Sequence, residues 1–484
     1  MPPFYIDFHC HPSMKPYGKS FNSNPIGANS TDVHRDTSIW HYDAPNLFDR
    51  VIQDIGGICK FSQADFSTLA FGEVRIVCAS IYPLERGFFR NKLGQGGISD
   101  LLDNFVTGVG RARVNAVQNV TNYFEDLQRE YNFYAALHDQ YVETVSGRSK
   151  YIIVRNYNEI QQLLRQGVDK GDTIFVILTI EGLHVLNSNI DAVAPDEVSI
   201  LNNLAQIKAW RFPPFFVTFS HHFNNHLCGH AKSLTDIVGK VTDQTEGLNQ
   251  GFSPLGRQVL HELLSDRNGQ RIHVDIKHMS ALGRKEYFQI LDTDYQGQDI
   301  PIIVSHGAAN GYQSMDNQTV HNQATQIGNL LLHDDINFYD DEIIRVAKSK
   351  GIFCFQLDER RIASPATVSQ VKHSIWMSKI RHYRAELLWN QVQYIAELLD
   401  RNNLPAWDCL ALGTDFEGII NPLNGYLTAE TIVQLEQYLE RFAYNYMNGP
   451  GKNLQYGNNN TIKADEIISR IFNTNGLNFI SRYF

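Results

Sequence analysis

The sequence predicts an α/β fold, a (β/α)8 TIM barrel, from two observations. Eight short runs of β-branched and aromatic residues are apolar at nearly every position, as expected of parallel strands buried on both faces. Helix-like stretches alternate with these runs, which indicates βα units and a parallel sheet, and eight such units make one barrel. A plain doubly wound sheet is the structural alternative. The predicted strands are residues 4–8, 75–81, 174–180, 215–220, 272–276, 301–305, 351–356 and 409–414.

The predicted helices lie between these strands. Ser253 followed by Pro254 is typical of a helix start, because serine caps the first turn and proline suits the first helical position. The predicted helices are residues 158–167, 196–209, 254–266, 285–291, 340–350 and 374–400.

The chain has 484 residues, whereas a barrel of this kind needs about 250. The surplus follows the first two strands. Residues 12–57 are rich in Asn, Ser and Pro, and residues 82–151 contain a helical stretch around 114–138. Loops that follow barrel strands emerge at the C-terminal face, where they shape the active site. We therefore expect one barrel domain over residues 1–484, with insertions at about 12–57 and 82–151.

Composition excludes several classes of protein. Hydrophobic residues make up 43% of the chain, which allows a large core and excludes a disordered chain. The net charge of −10 argues against a nucleic-acid partner. No apolar run reaches the roughly 18 residues of a membrane span, and no signal peptide is recognisable, although a removed one would leave no trace. Six dispersed cysteines without a CxxC pair argue against a disulfide framework. We expect a soluble, reduced, cytoplasmic protein.

Six of the eight predicted strands end in a residue that can bind a metal ion or titrate. In a barrel these strand ends converge on one site. The residues are His9 and His11 after the first strand, Glu181 after the third, His221 and His222 after the fourth, Lys277 and His278 after the fifth, His306 after the sixth, and Asp415 after the eighth.

This set of side chains suits a pair of metal ions. His9 and His11 are two residues apart, so they project from the same face of an extended segment and could share one ion. Glu181 could bridge two ions, and His278 and His306 could hold the second. Imidazole and carboxylate ligands favour zinc, with manganese, iron or nickel as alternatives. Two ions about 3.5–4 Å apart can share a water and lower its pKa toward about 7.

Each residue also has a purely structural interpretation. A single histidine at a strand end commonly hydrogen-bonds within a loop, and Glu181 alone could form a buried ion pair. Asp415 could cap a helix, or it could accept the proton of an attacking water and pass it to the leaving amine. Six strand ends with suitable residue types favour the metal site. His184, His226 and His230 lack this support, and we expect them to hydrogen-bond within loops.

At these residues the chain resembles the membrane dipeptidase (renal dipeptidase) family of metal-dependent hydrolases, part of the amidohydrolase superfamily. The resemblance runs from Phe4 to the C-terminus in seven segments that keep the family order. Residues 180–184 are similar to IEGGH, 217–221 to LTLTH, 251–256 to GLTPFG, 274–280 to DLSHVS, 301–306 to PVIFSH, 413–418 to GSDFDG and 476–479 to GGNF.

The resemblance implies a role for each matching residue. Strand register leaves the choice between His221 and His222 open, and the resemblance selects His221 as the group that contacts the substrate carbonyl. The implied zinc ligands are Glu181 as the bridge and His278 and His306 on the second ion, and the implied proton acceptor is Asp415.

Two departures from the family pattern bear on this interpretation. The family has His-x-Asp where this chain has His9-Cys10-His11, so the site gains one unit of positive charge, which could alter the metal preference. The family also has an arginine that contacts the dipeptide carboxylate, and Ile336 occupies its position. Isoleucine cannot make that bidentate contact, so free-carboxylate dipeptides need not be the substrate. Arg345, Arg360 and Arg361 could compensate.

We therefore predict a binuclear, dipeptidase-like hydrolase that cleaves an amide bond of a small substrate with a metal-activated water. His9, His11 and Glu181 hold one divalent ion, and Glu181, His278 and His306 hold the other. His221 stabilises the oxyanion and Asp415 transfers the proton. The alternatives are the same metal chemistry on a non-peptide amide, ester or lactone, and a non-catalytic barrel that binds a ligand. A homodimer is compatible with the sequence.

Overall fold

The computed structural model describes residues 4–57, 59–90, 104, 107–145, 147–165, 172–234, 236–320, 326–371, 374 and 376–484. Eight parallel strands form its central sheet, each hydrogen-bonded to the next, and all eight predicted strands are confirmed to within two residues at either end. They are β1 (Tyr5–Cys10), β2 (Val74–Ile81), β3 (Thr173–Glu181), β4 (Phe216–Thr218), β5 (His273–Asp275), β6 (Ile303–Gly307), β7 (Ile352–Phe355) and β8 (Leu410–Leu412).

The sheet closes into the predicted barrel where β1 meets the segment that follows β8. The backbone N–H of Asp415 donates to the carbonyl of His9 over 2.8 Å. The buried carboxylate of Asp7 accepts two further bonds, from the backbone N–H of Thr414 at 2.9 Å and from its hydroxyl at 2.7 Å. The barrel therefore closes at the chain segments that contain His9 and Asp415.

Successive side chains of each strand point to opposite faces of the sheet, and this produces two apolar layers. Ile76, Ile177 and Cys354 belong to the cluster inside the barrel, whereas Val77 and Val274 pack with the helices outside it. Burial of each such aliphatic side chain contributes roughly 1.5–3 kcal/mol. Because both faces of each strand are buried, the strands read as continuous apolar runs in the sequence.

The six predicted helices are confirmed between the barrel strands. Ser253 accepts a hydrogen bond from the Gly256 N–H at 2.9 Å, as expected of a helix cap. Residues 166–167 and 375, which fall in two of the predictions, lie outside the described residues. The observed bounds are Tyr157–Arg165, Glu197–Lys208, Pro254–Leu264, Ala281–Asp294, Asp340–Lys348 and Met377–Arg401.

Further helices lie outside those six ranges. They lie mainly in the segments after β1, β2 and β8. Their bounds are Met14–Lys19, Leu47–Gly56, Phe66–Phe71, Arg111–Gln118, Tyr123–Ala136, Asp236–Val241, Glu359–Ile362, Pro365–Gln370, Ile432–Asn448, Ala464–Ser469 and Asn475–Tyr483. Across the described ranges, we find no helix with both the length and the apolar composition that a bilayer crossing requires.

The helical stretch expected around 114–138 consists of two helices, Arg111–Gln118 and Tyr123–Ala136. They are separate because Asn122 caps the second one, where its side chain accepts a hydrogen bond from the Glu125 N–H at 3.1 Å. Residues 91–103, 105–106 and 146 of the expected second insertion lie outside the described residues.

Four accessory strands were not predicted, and two of them, Tyr312–Ser314 and Asn317–Val320, pair antiparallel in a separate sheet. Val142–Thr144 pairs antiparallel with Gly147–Ile153, which also runs parallel to the first half of β3. β4 reaches only the end of β3, at Ile180 and Glu181, so the first half of that edge remains open for Gly147–Ile153. This strand lies largely in a segment that the sequence assigns to an insertion, which is why it was missed.

Candidate metal centre

The strand ends bring the predicted donor groups together at the C-terminal mouth of the barrel, with Glu181 at their centre. Oε2 of Glu181 lies 3.1 Å from Nε2 of His11, and Oε1 lies 3.4 Å from Nε2 of His9. Asp415 approaches from the opposite end of the chain, and its Oδ1 lies 3.8 Å from each of the same two nitrogens. The donor atoms of His9, His11 and Asp415 can all lie within 4.8 Å of one another.

His278 and His306 reach the same carboxylate from β5 and β6. Their Nε2 atoms each lie 3.6 Å from Oε1 of Glu181 and 3.2 Å from one another. Together with His9, His306 and Glu181 form a second set of donors within 4.8 Å. The five sequence-predicted ligands therefore surround one small volume.

Hydrogen bonds behind the rings determine which nitrogen faces this volume. Nδ1 of His11 lies 3.2 Å from the carbonyl of Ser80, which can only accept, so Nδ1 carries the proton. Ser305 donates its hydroxyl proton to Asp275 at 2.6 Å and so accepts from Nδ1 of His306 at 2.9 Å. Both rings therefore present Nε2 to Glu181, the nitrogen that would coordinate a metal ion. Burial alone would lower the pKa of His11, but Glu181 raises it to about 9, so a bound ion would displace the Nε2 proton of that ring.

The donor set fits a divalent cation. Nε2 of His9, Nε2 of His11 and Oε1 of Glu181 are buried and have no hydrogen-bond partner among the described residues. Each unsatisfied buried group costs about 1–3 kcal/mol, and a cation would satisfy all three. A tetrahedral ion with bonds of 2.0–2.2 Å holds its ligand atoms about 3.3 Å apart, which matches the spacing around Glu181.

Protonation states also suit a metal centre. Burial alone would raise the pKa of Glu181, but the imidazoles of His221 and His9 hold it well below its ordinary value, so the carboxylate is charged. Burial lowers the pKa of His278 and of His306 well below the usual range, so both rings are neutral. Burial raises the pKa of Asp415 to about 7.

Two residues at the centre have an unfavourable backbone conformation. His278 has φ of 66° and Asp415 has φ of 61°, in the left-handed region that side chains other than glycine seldom occupy. Hydrogen bonds at both positions stabilise it: the carbonyl of His278 accepts from Ala231 N–H at 2.8 Å, and Asp415 N–H donates to His9. Such conformations cost of order 1–3 kcal/mol and cluster at functional sites.

His221 lies beside Glu181, and Glu85 lies behind His221. Nε2 of His221 is 3.5 Å from Oε2 of Glu181, and its Nδ1 is 2.6 Å from Oε2 of Glu85. Sequence reasoning missed Glu85, which belongs to the segment after β2, a strand to which no site residue was assigned. The available signal was its position four residues beyond Ile81, the end of β2.

The other histidines differ in their surroundings. The donor atoms of His222 can lie within 4.8 Å of those of His221 and His278, but its Nδ1 is 2.5 Å from the hydroxyl of Ser233 and the side chain is half-buried. His184 and His230 hydrogen-bond to backbone carbonyls, at 2.8 Å in the case of His184 and Pro83.

Ile336 is buried, and a different residue brings positive charge toward the centre. Asn337 donates from its side chain to the backbone carbonyl of Arg361 at 2.7 Å, so Arg361 lies next to the segment that contains Ile336. One guanidinium nitrogen of Arg361 donates to the carbonyl of Ser233. The other, Nη1, is buried without a partner among the described residues.

Arg361 is electrostatically coupled to the centre. Its charge interacts first with Asp358 and Arg360 beside it, and more weakly with Asp415. It also acts on Lys277, whose buried Nζ has no hydrogen-bond partner in the described part of the chain. Arg345 and Arg360, by contrast, form ion pairs with Asp292 and Asp358.

Comparison with known proteins supports the fold. No protein-family model matches the chain, and no curated protein matches it in sequence. Solved structures do match, and among them are three that match over nearly the full length of the chain. The dipeptidase AC, a metallopeptidase of family M19, has a TM-score of 0.53 and 12% identity, covering 100% of this chain and 99% of that one. A metallopeptidase from Rhodobacter sphaeroides, liganded with a phosphinate mimic of the dipeptide L-Ala-D-Ala, has a TM-score of 0.52 and 11% identity over 99% of both chains.

The third structure is the probable dipeptidase PvdM from Pseudomonas aeruginosa. Its TM-score is 0.50 and its identity 13%, over 99% of this chain and 95% of that one. At such low identity these matches show a shared fold.

Proposed function

We propose that this protein is a metal-dependent hydrolase that cleaves an amide bond, such as a peptide bond, in a small substrate. The observation that carries the proposal is the group of imidazole Nε2 atoms that surrounds the charged carboxylate of Glu181. Solved structures of the same fold support it, since they are described as dipeptidases or metallopeptidases and one holds a dipeptide mimic.

In this proposal His9, His11 and Glu181 hold one divalent ion, and Glu181, His278 and His306 hold a second. The donor set favours zinc, with manganese, iron or nickel as alternatives. Bound ions would supply Lewis acidity, which polarises a substrate carbonyl and acidifies a water.

Two protein groups perform the remaining chemistry. His221, when protonated at Nε2, donates a hydrogen bond to the carbonyl oxygen as negative charge develops there. Asp415 accepts a proton from the attacking water and transfers it to the leaving amine. A pKa near 7 suits this role, because the same group must both accept and release a proton at neutral pH.

We further propose that the substrate carries a free carboxylate. Ile336 cannot bind one, but Arg361 presents a buried, unpartnered Nη1 from the neighbouring segment. A substrate carboxylate would satisfy that nitrogen and offset its desolvation cost. A neutral amide, ester or lactone is the second candidate, and the apolar side chain of Ile336 is the observation that favours it.

Replacing Arg361 with glutamine separates these two candidates. For a carboxylate substrate such as a dipeptide, we expect KM to rise about 10- to 100-fold, because a charge-assisted hydrogen bond is worth about 1.5–3 kcal/mol. The KM for the corresponding dipeptide amide should change little. Arg360→Gln is the matched control, since that guanidinium already pairs with Asp358 at 2.8 Å. An equal effect of Arg361→Gln on both substrates would contradict carboxylate recognition.

The hydrolase itself is tested by metal content and activity. Protein supplemented with zinc or manganese should retain at least one metal equivalent per chain and hydrolyse members of a panel of dipeptides, N-acyl amino acids, esters and lactones. A chelator should abolish the activity and added metal should restore it. Less than one equivalent per chain after supplementation would contradict the metal assignment, and inactivity across the panel in fully loaded protein would favour a ligand-binding barrel.

A further inference from the structure

Glu85 is a buried carboxylate with three donors and a direct contact to His221. The side chain is 2% exposed. Its Oε2 accepts hydrogen bonds from Nδ1 of His221 at 2.6 Å and from the hydroxyl of Tyr82 at 3.0 Å, and its Oε1 accepts one from the backbone N–H of Phe223 at 3.1 Å. The last two contacts hold the carboxylate in place against the histidine.

This carboxylate determines how the ring of His221 is oriented. An ionised carboxylate can only accept, so Nδ1 of His221 must carry a proton and donate it to Glu85. Nε2 then faces the opposite direction, toward Glu181 at 3.5 Å and the volume between the donor groups. Burial alone would raise the pKa of Glu85, but His221 lowers it below its ordinary value, which keeps the acceptor ionised.

The segment around Glu85 is itself fixed to the rest of the barrel mouth. The backbone N–H of Arg86 donates to the hydroxyl of Tyr123 at 2.7 Å, and the Arg86 side chain pairs with Asp191 at the same distance. At Gly87 a Cβ atom would lie 2.6 Å from the ring of Phe223, so only glycine permits this approach. The long segment after β2 is thus connected to the turn that carries His221.

We infer that Glu85 is a positioning residue, which fixes the ring of His221 through Nδ1 and so holds its Nε2 toward the reacting carbonyl. The inference rests on the proposed function for its kinetic consequence, but the hydrogen bond it describes exists with or without catalysis. Because Glu85 does not touch the substrate volume, its loss should affect turnover more than substrate binding.

The kinetic test compares Glu85→Gln with Glu85→Asp and Glu130→Gln. We expect Glu85→Gln to lower kcat about 10- to 100-fold with little change in KM, and Glu85→Asp, which keeps the charge, to recover part of the loss. Glu130 is the matched control: it is equally buried and contacts the same loop through Tyr82 N–H at 3.2 Å, but it has no contact with His221. Equal losses in Glu85→Gln and Glu130→Gln would overturn the inference.

A double-mutant cycle and a spectroscopic measurement complete the test. In a His221→Asn background, Glu85→Gln should cause no further loss of kcat, and full additivity would contradict a role through His221. In metal-free protein labelled with ¹⁵N-histidine, the Nδ1 proton of His221 should give a strongly downfield signal that is lost in Glu85→Gln and retained in Glu130→Gln. This measurement decides the inference even if the protein has no hydrolase activity, and retention of the signal in Glu85→Gln would overturn it.

Discussion

Replacement of Glu181 with glutamine is expected to empty the metal centre and to lower kcat/KM by at least about 10³-fold. Both carboxylate oxygens contribute: Oε1 lies 3.4–3.6 Å from three imidazole nitrogens and Oε2 lies 3.1–3.5 Å from two more. An amide has the same shape but no charge, and one of its two ends can only donate, so it cannot bridge two cations. A bound ion contributes several kcal/mol to such a reaction, which corresponds to this loss of rate.

Metal analysis and thermal unfolding measure this effect without relying on turnover. An ion that binds only the folded protein raises Tm, so added zinc should raise the Tm of the wild-type protein and leave that of Glu181→Gln unchanged. Glu130→Gln is an equally buried replacement whose hydrogen bonds go to Ser13 and Tyr82 and not to a donor group, and it should retain the wild-type response. If Glu181→Gln kept its full metal content, the assignment of Glu181 as the bridging ligand would be wrong.

Replacement of Asp415 with asparagine is expected to lower kcat about 10²- to 10⁴-fold while metal remains bound. The amide cannot accept the proton of a water, which removes general base catalysis of that magnitude. The ligand set around Glu181 is unchanged, and asparagine tolerates the φ of 61° better than most residues, so the fold should persist.

The measurement is kcat for the best substrate of the panel, with metal content determined on the same samples. Asp7→Asn is the matched control, because Asp7 is also a buried carboxylate at the closure of β1 and β8 but bonds to Thr414 instead of facing the donor groups. It should lower stability and spare the kcat of the folded fraction. Full activity of Asp415→Asn would show that another group transfers the proton.

The barrel and the convergence of its donor side chains could be predicted because local and global signals agree. A strand buried on both faces must be apolar nearly throughout, so an apolar run such as residues 174–180 predicts a strand. The polar residue that follows the run, Glu181, marks the end of that strand. Barrel geometry then brings such ends together whatever the sequence distance between them. Both steps depend on patterns of a few residues, which a single sequence contains.

Glu85 and Arg361 could not be predicted in the same way. Neither ends an apolar run, and each acquires its importance from a contact across the chain: Glu85 with His221, and Arg361 with the segment at Asn337. The strand Gly147–Ile153 was missed for a related reason, since it fills an edge that is open only because β4 is short. Contacts of this kind depend on the path of the loops, which short-range patterns do not specify.

The closure of β1 against the segment after β8 has a consequence for biosynthesis. More than 400 residues separate His11 from Asp415. At about 5–20 residues per second, the ribosome needs roughly 20–80 s to travel from one to the other. Throughout that interval the nascent chain presents His9 and His11 without the strands that complete their surroundings. In the proposed metal centre we therefore expect the ion to enter after synthesis, so that the metal then available would determine which form of the protein is obtained.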